Sequence, residues 1–178
     1  MKKTAILFLL IGGLILSSCN SVNSKREQIS KLEKEIASSK MTKIDENKVD
    51  QLIKKYDEFV KEFPKDTAAP KYLFRKADLY VAVNRGNLAI NTLDQLISSY
   101  PNFEKIPECF FLKAFIAENT LHHLSLADKY YKEFLKEFPT HKLAKDAEAS
   151  MLNLGKSPEQ LIAEFEAKQD SLSKVEGK

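Results

Sequence analysis

A phrase that occurs three times constrains this chain more than any other feature. Each copy ends in an aromatic residue followed by proline: YDEFVKEFP at Pro64, LDQLISSYP at Pro101 and YYKEFLKEFP at Pro139. The prolines fall 37 and 38 residues apart, and a period of roughly 20 to 50 residues marks a repeat array rather than one irregular core. In the third copy, Leu126, Ala127, Tyr130, Tyr131, Phe134, Leu135 and Phe138 step by three and four. That spacing predicts an amphipathic helix over Leu124–Pro139, stopped by the proline. The first copy has the same stripe (Val49, Leu52, Ile53, Tyr56, Phe59, Val60, Phe63), with a capping-box-like start at Thr42–Asp45.

Alignment on the prolines brings further positions into line. Pro70 and Pro107 each follow six residues after a repeat proline, where the missing N–H suits the first turn of a new helix. Ala77, Tyr80, Ala89, Leu93, Leu96 and Pro101 then recur as Ala114, Ala117, Ala127, Tyr131, Phe134 and Pro139. In this pattern of small and large residues the chain resembles the tetratricopeptide repeat family. The resemblance implies an all-α fold of antiparallel helix pairs, stacked as a short right-handed superhelix. It covers about residues 45–155. Departures from the pattern are Lys76, where leucine is usual, and Leu73 and Phe110 in place of tryptophan. Within the family the chain is similar to the repeat domains of two bacterial envelope proteins: the outer-membrane β-barrel assembly lipoprotein and the Tol-associated cell-division coordinator.

The start of the chain reads as an address. Lys2 and Lys3 precede an apolar run from Ala5 to Leu16, which as a helix would span about 18 Å against a hydrocarbon core of about 30 Å. The run is therefore the core of a signal peptide and not a membrane span. Leu16, Ser17, Ser18 and Cys19 resemble the bacterial lipobox. The resemblance implies cleavage before Cys19, a diacylglyceryl thioether on its sulfur and acylation, for instance by palmitate, of the new amino group. Acyl chains of that number exceed what stable anchoring requires. Asn20 follows, which by the same resemblance implies an outer-membrane lipid anchor facing the periplasm.

The expected organisation is a cleaved signal peptide at 1–18, a lipidated polar tether at 19–28, and a short amphipathic helix at 29–40 carrying Ile29, Leu32 and Ile36. Helical repeats follow over 41–155, and a capping helix with a polar tail over 156–178. The repeats end with a helix from His141 to Leu154, stopped by Gly155. Ser157-Pro158-Glu159-Gln160 then caps a last helix that buries Leu161, Ile162 and Phe165, as a lid on the array.

Charge and composition narrow the function. Without Lys2 and Lys3 the 28 basic residues become 26, against 25 acidic, and the two signs alternate along the helices. That describes solvated helix faces and excludes a nucleic-acid partner. No glycine-rich phosphate loop is present, since Gly86 and Gly155 stand alone. His122, His123 and His141 lack further ligands at metal spacing, so no metal, cofactor or small-molecule substrate is expected, and no enzyme. Cys109, among Phe110, Phe111 and Leu112, reads as a small buried hydrophobe.

What remains is surface. By the family resemblance the first helix of each pair lines a concave groove. The residues that map there are Lys71, Phe74, Asp78 and Val81, then Glu108, Phe111, Phe115 and Glu118. Two readings of the three phenylalanines stand: neighbouring helices cover them, or they bind a peptide. The expected partners are other envelope proteins, with the membrane reached through Cys19. The expected role is an interaction scaffold for outer-membrane assembly or envelope maintenance. The alternative is a structural accessory subunit of an uptake, secretion or division complex.

Overall fold

A computed structural model describes residues 21–38 and 45–176. The described residues form eight helices and no strand: α1 over 21–38, α2 Glu46–Glu62, α3 Ala69–Ala82, α4 Gly86–Ser99, α5 Ile106–Asn119, α6 Leu124–Glu137, α7 Ala144–Asn153 and α8 Pro158–Glu176. This is a stacked helical-repeat fold. The chain divides into two compact units, up to Phe103 and from Glu104 onward. No helix among the described residues is long and apolar enough to cross a membrane.

In the first unit α1, α2 and α3 share one core. Ile29, Leu32, Leu52, Tyr56, Phe59 and Tyr72 are buried together, with Val22, Ile36, Phe63 and Leu79 packed around them. Tyr72 stacks on Tyr56 at 5.0 Å and meets the edge of Phe59 at 4.8 Å. Each such ring contributes roughly 2 to 3 kcal/mol by leaving water. Ion pairs fix the antiparallel register of α1 on α2: Lys25 on Glu62 at 2.7 Å, and Lys48 on Glu35 at 3.5 Å. α3 packs on α4, and Ala77 on one and Ala89 on the other are fully buried, the small residues that a close approach of paired helices requires.

In the second unit α5 packs on α6, and α6 on α7. Ala114, Ala117, Ala127, Tyr131, Phe134 and Ala147 form the core. Phe111 meets the edges of Tyr131 and Phe134, and Phe110 that of Phe138. The aromatic stripe of the repeated phrase is thus packing. Residues after each α-helical stripe turn back as the proline pattern predicts, and Pro70 and Pro107 both sit in the first turn of their helices.

Several expectations are corrected. The polar tether ends earlier than residue 28, because α1 is helical from residue 21. Val22 lies seven residues before Ile29 and prolongs its stripe, while Lys25 and Arg26 find acidic partners on and after α2. The cap of α2 is Asp45, whose carboxylate accepts from the N–H groups of Asn47 and Lys48; Thr42 lies outside the described residues. α7 begins at Ala144 and not at His141, since His141 is held in the preceding turn, its Nδ1 accepting from the Leu143 N–H. The last helix does form behind its predicted capping box: the Ser157 N–H donates to Gln160 and the Gln160 N–H to the Ser157 hydroxyl. It does not bury its apolar face, however. Leu161, Ile162 and Phe165 are exposed, and a face left in water is not a lid.

Candidate functional site

A cleft of about 400 Å³ opens in the first unit where α1 and α3 diverge over α2. Glu33, Ile36 and Ala37 of α1 form one wall and Arg75, Asp78 and Leu79 of α3 the other, with Leu52 and Tyr56 of α2 at the base. The volume lies within the range of roughly 300 to 1,000 Å³ that recognition pockets occupy.

The polar end of the cleft is built from one carboxylate with two donors. The buried Tyr56 hydroxyl donates to Glu33 Oε1 at 2.6 Å, and Arg75 donates to the same oxygen at 2.6 Å. Burial raises the Tyr56 pKa first, and its hydrogen bond to Glu33 adds to the shift. Glu33 lies four residues after the core residue Ile29, so the face that buries Ile29 also presents Glu33 to α2 and α3. Ile36, Leu52 and Leu79 supply apolar surface beside it. A second cleft of about 460 Å³ lies between α2 and α4, lined by Asp57, Val60, Lys61, Pro64, Gln95, Ser99 and Tyr100. Its polar lining offers less apolar anchorage.

Of the four α3 residues expected to line a groove, Asp78 alone lines the first cleft. Lys71 is exposed, while Phe74 and Val81 are half-buried. On α5 the expectation divides. Phe115 is exposed at 42 %. Phe111 is turned into the core against Tyr131 and Phe134. Glu118 accepts from the Tyr131 hydroxyl at 2.7 Å. Glu108 lies 3.1 Å from Lys142 and 3.9 Å from His141; burial pushes its pKa up, but its own backbone N–H and the Lys142 ammonium outweigh burial and hold it low. Phe111 is therefore packing rather than groove surface, while Glu108 and Glu118 each hold a polar contact within the unit.

Glu33, Arg75, Ile36 and Ala37 were missed as site residues. Leu16, Ser17, Ser18 and Cys19 lie outside the described residues.

The remaining chemistry is structural. His122 takes a left-handed conformation (φ 51°) at the α5–α6 turn, and His123 Nδ1 accepts from the Leu126 N–H to cap α6. Lys76, at the unusual position on α3, reaches Asp57 of α2 at 2.5 Å. Lys113 lies 4.3 Å from the Tyr130 ring centroid. Cys109 is fully buried. No group of three or more His, Cys, Asp or Glu placed to hold a metal occurs among the described residues.

Comparison with protein families identifies a tetratricopeptide repeat over residues 71–102, the stretch that carries α3, α4 and Pro101. No curated protein matches the chain. The repeat supports a tetratricopeptide-repeat protein, a fold that is typically a protein-interaction scaffold without catalysis.

Proposed function

We propose that this protein is a membrane-anchored interaction scaffold of the bacterial envelope, held by lipid on Cys19 and acting in outer-membrane assembly or envelope maintenance. It adds no chemistry of its own. It presents a preformed surface to partner proteins facing the periplasm, and the anchor raises the local concentration of both.

The observation that carries this reading is the α1–α3 cleft beside an identified tetratricopeptide repeat. Its apolar walls suit an apolar side chain of a partner segment. The Arg75 guanidinium and the Glu33 and Asp78 carboxylates suit that segment's backbone and charged groups. The anchor rests on the signal-peptide and lipobox resemblance of residues 1–19.

The test uses two exposed positions that line the cleft, Ala37→Arg and Asp78→Arg, in chains whose helix content is unchanged. Partners purified with the lipidated protein from solubilised membranes should be lost from both variants. An unchanged partner list would remove the cleft from the proposal. Metabolic labelling with a fatty acid tests the anchor separately, and label that persists in Cys19→Ala would overturn it.

A further inference from the structure

The charge distribution around the start of α1 points to a second surface. α1 runs antiparallel to α2, and its pairs Lys25–Glu62 and Arg26–Asp66, at 2.7 and 2.6 Å, set its first turns against the end of α2 and the turn into α3. The described part of the helix begins at residue 21. Two chain steps link that point to Cys19, a reach of at most about 7 Å for an extended chain. On the lipid-anchor reading, then, the end of the unit where α1 starts, α2 stops and α3 starts must lie at the bilayer.

That end is basic. Lys61 on the last turn of α2, Lys65 in the connecting turn and Lys71 on the first turn of α3 are all exposed, and none makes an ion pair among the described residues. The acids at the same level, Glu62 and Asp66, are already occupied by Lys25 and Arg26. The Asp66 carboxyl is held below its ordinary value: burial opposes this, but the Ala68 N–H and Arg26 outweigh it. Glu27, one residue after Arg26, and Glu58, three residues before Lys61, make no ion pair with these lysines. Three unpaired lysines thus stand on the last turn of α2, the turn after it and the first turn of α3, at the end of the unit where the chain would meet its anchor.

We infer that Lys61, Lys65 and Lys71 form a contact face for anionic phospholipid headgroups, which seats the repeat unit on the membrane instead of leaving it to swing on its lipid. Each lysine near an anionic surface contributes about 1 kcal/mol, so together they change partitioning on the order of 100-fold.

The probe is the mature chain from residue 19 carrying Cys19→Ala, which has no lipid, sedimented with vesicles of phosphatidylcholine alone or mixed with phosphatidylglycerol. Binding is expected only to the mixed vesicles and should weaken with salt. The triple variant Lys61→Gln, Lys65→Gln and Lys71→Gln should lose on the order of 100-fold in partition coefficient at unchanged helix content. Lys129→Gln, Lys132→Gln and Lys136→Gln together, on α6, should lose little. Equal binding to both vesicle types, or equal loss in the two triple variants, overturns the face. So does a first triple variant that loses a protein partner while its vesicle binding is intact. Fatty-acid labelling of the wild-type chain separates the two proposals. Label without vesicle preference overturns the face alone, and vesicle preference without label overturns the anchor alone.

Discussion

Removing the Glu33 carboxylate tests whether α1 belongs to the folded unit, and the three partners predict three different costs. In Glu33→Ala the Tyr56 hydroxyl, 2 % exposed, keeps its burial and loses its acceptor. An orphaned buried donor costs about 1 to 3 kcal/mol, and its bond to a charged acceptor falls in the upper part of the usual range. We expect a loss of about 2 to 3 kcal/mol. Tyr56→Phe removes the donor instead and leaves Glu33, whose side chain is 26 % exposed, able to rehydrate and keep Arg75; about 1 kcal/mol is expected. Arg75→Ala breaks an ion pair whose arginine is 54 % exposed, so screening limits its loss to about 1 kcal/mol or less. The pair Glu33→Ala with Tyr56→Phe should cost no more than Glu33→Ala alone, a coupling of about 1 kcal/mol. Urea unfolding followed by far-ultraviolet circular dichroism measures these values, and hydrogen exchange places the change in the amides of α1. If Glu33→Ala costs less than about 0.5 kcal/mol and α1 protection is unaltered, the network does not hold α1 to α2 and α3.

Three further outcomes follow from other sites. Burial, with the nearby carboxylates of Glu33 and Glu118, raises the pKa values of Tyr56 and Tyr131 above the ordinary 10.0. The stability this represents is complete below pH 10 and is lost as pH rises through the folded-state values, so urea midpoints should fall above pH 10, and less steeply in Tyr56→Phe or Tyr131→Phe. Phe111→Asp should unfold the second unit by about 3 kcal/mol or more, because its ring lies on Tyr131 and Phe134, whereas Phe115→Asp should stay within about 0.5 kcal/mol; thermal melts of the two variants decide this. Gly155→Ala should cost about 1 kcal/mol for a φ of 78°, read in the same melts. The new methyl would meet Leu124 Cδ1 at 2.9 Å, but that half-exposed side chain can move aside.

The repeated helices were legible because their geometry is local. Proline stops, helix-start prolines and paired alanines act within a turn or two, and each appears where the alignment set it, down to the Ser157–Gln160 capping box. α1 was less legible because it stands outside the period. Residues 39–45 separate it from α2, against three residues between α3 and α4, so counting back from Pro64 does not reach it. Val22, on the stripe of Ile29, is the local mark that extends the helix. The site did not need that extension: Glu33 and Ala37 lie in the helix expected at 29–40, and they become cleft residues because it packs beside α3. Phe111 shows the opposite limit. Its three- and four-residue spacing to Phe115 and Glu108 is the same for a groove and for a core, and only the tertiary contact with Tyr131 decides between them. The apolar residues of α8 likewise predicted burial from pattern alone, and the array supplies no neighbour to cover them.

The two proposed surfaces are linked through α1, and the link limits what a partner must do. Glu33 lies twelve residues beyond residue 21, the first described residue of α1, about 18 Å along the helix axis. If Cys19 carries the proposed anchor, adding the reach of the residues back to it, about 7 Å, sets the cleft within about 25 Å of that anchor. On that proposal, a partner segment that enters the cleft would have to approach the bilayer to that distance, either because it is itself membrane-bound or because it is long enough to descend. If the lysines at 61, 65 and 71 also seat the unit, that distance becomes fixed rather than a maximum. Occupancy then depends on the partner's own position relative to the membrane. A soluble partner peptide should bind lipidated and unlipidated protein with equal affinity, while a membrane-bound partner should gain from the anchor by its effective concentration. Comparing the two affinities on vesicles measures that gain, and no difference for a membrane-bound partner would show that the anchor and the cleft act independently.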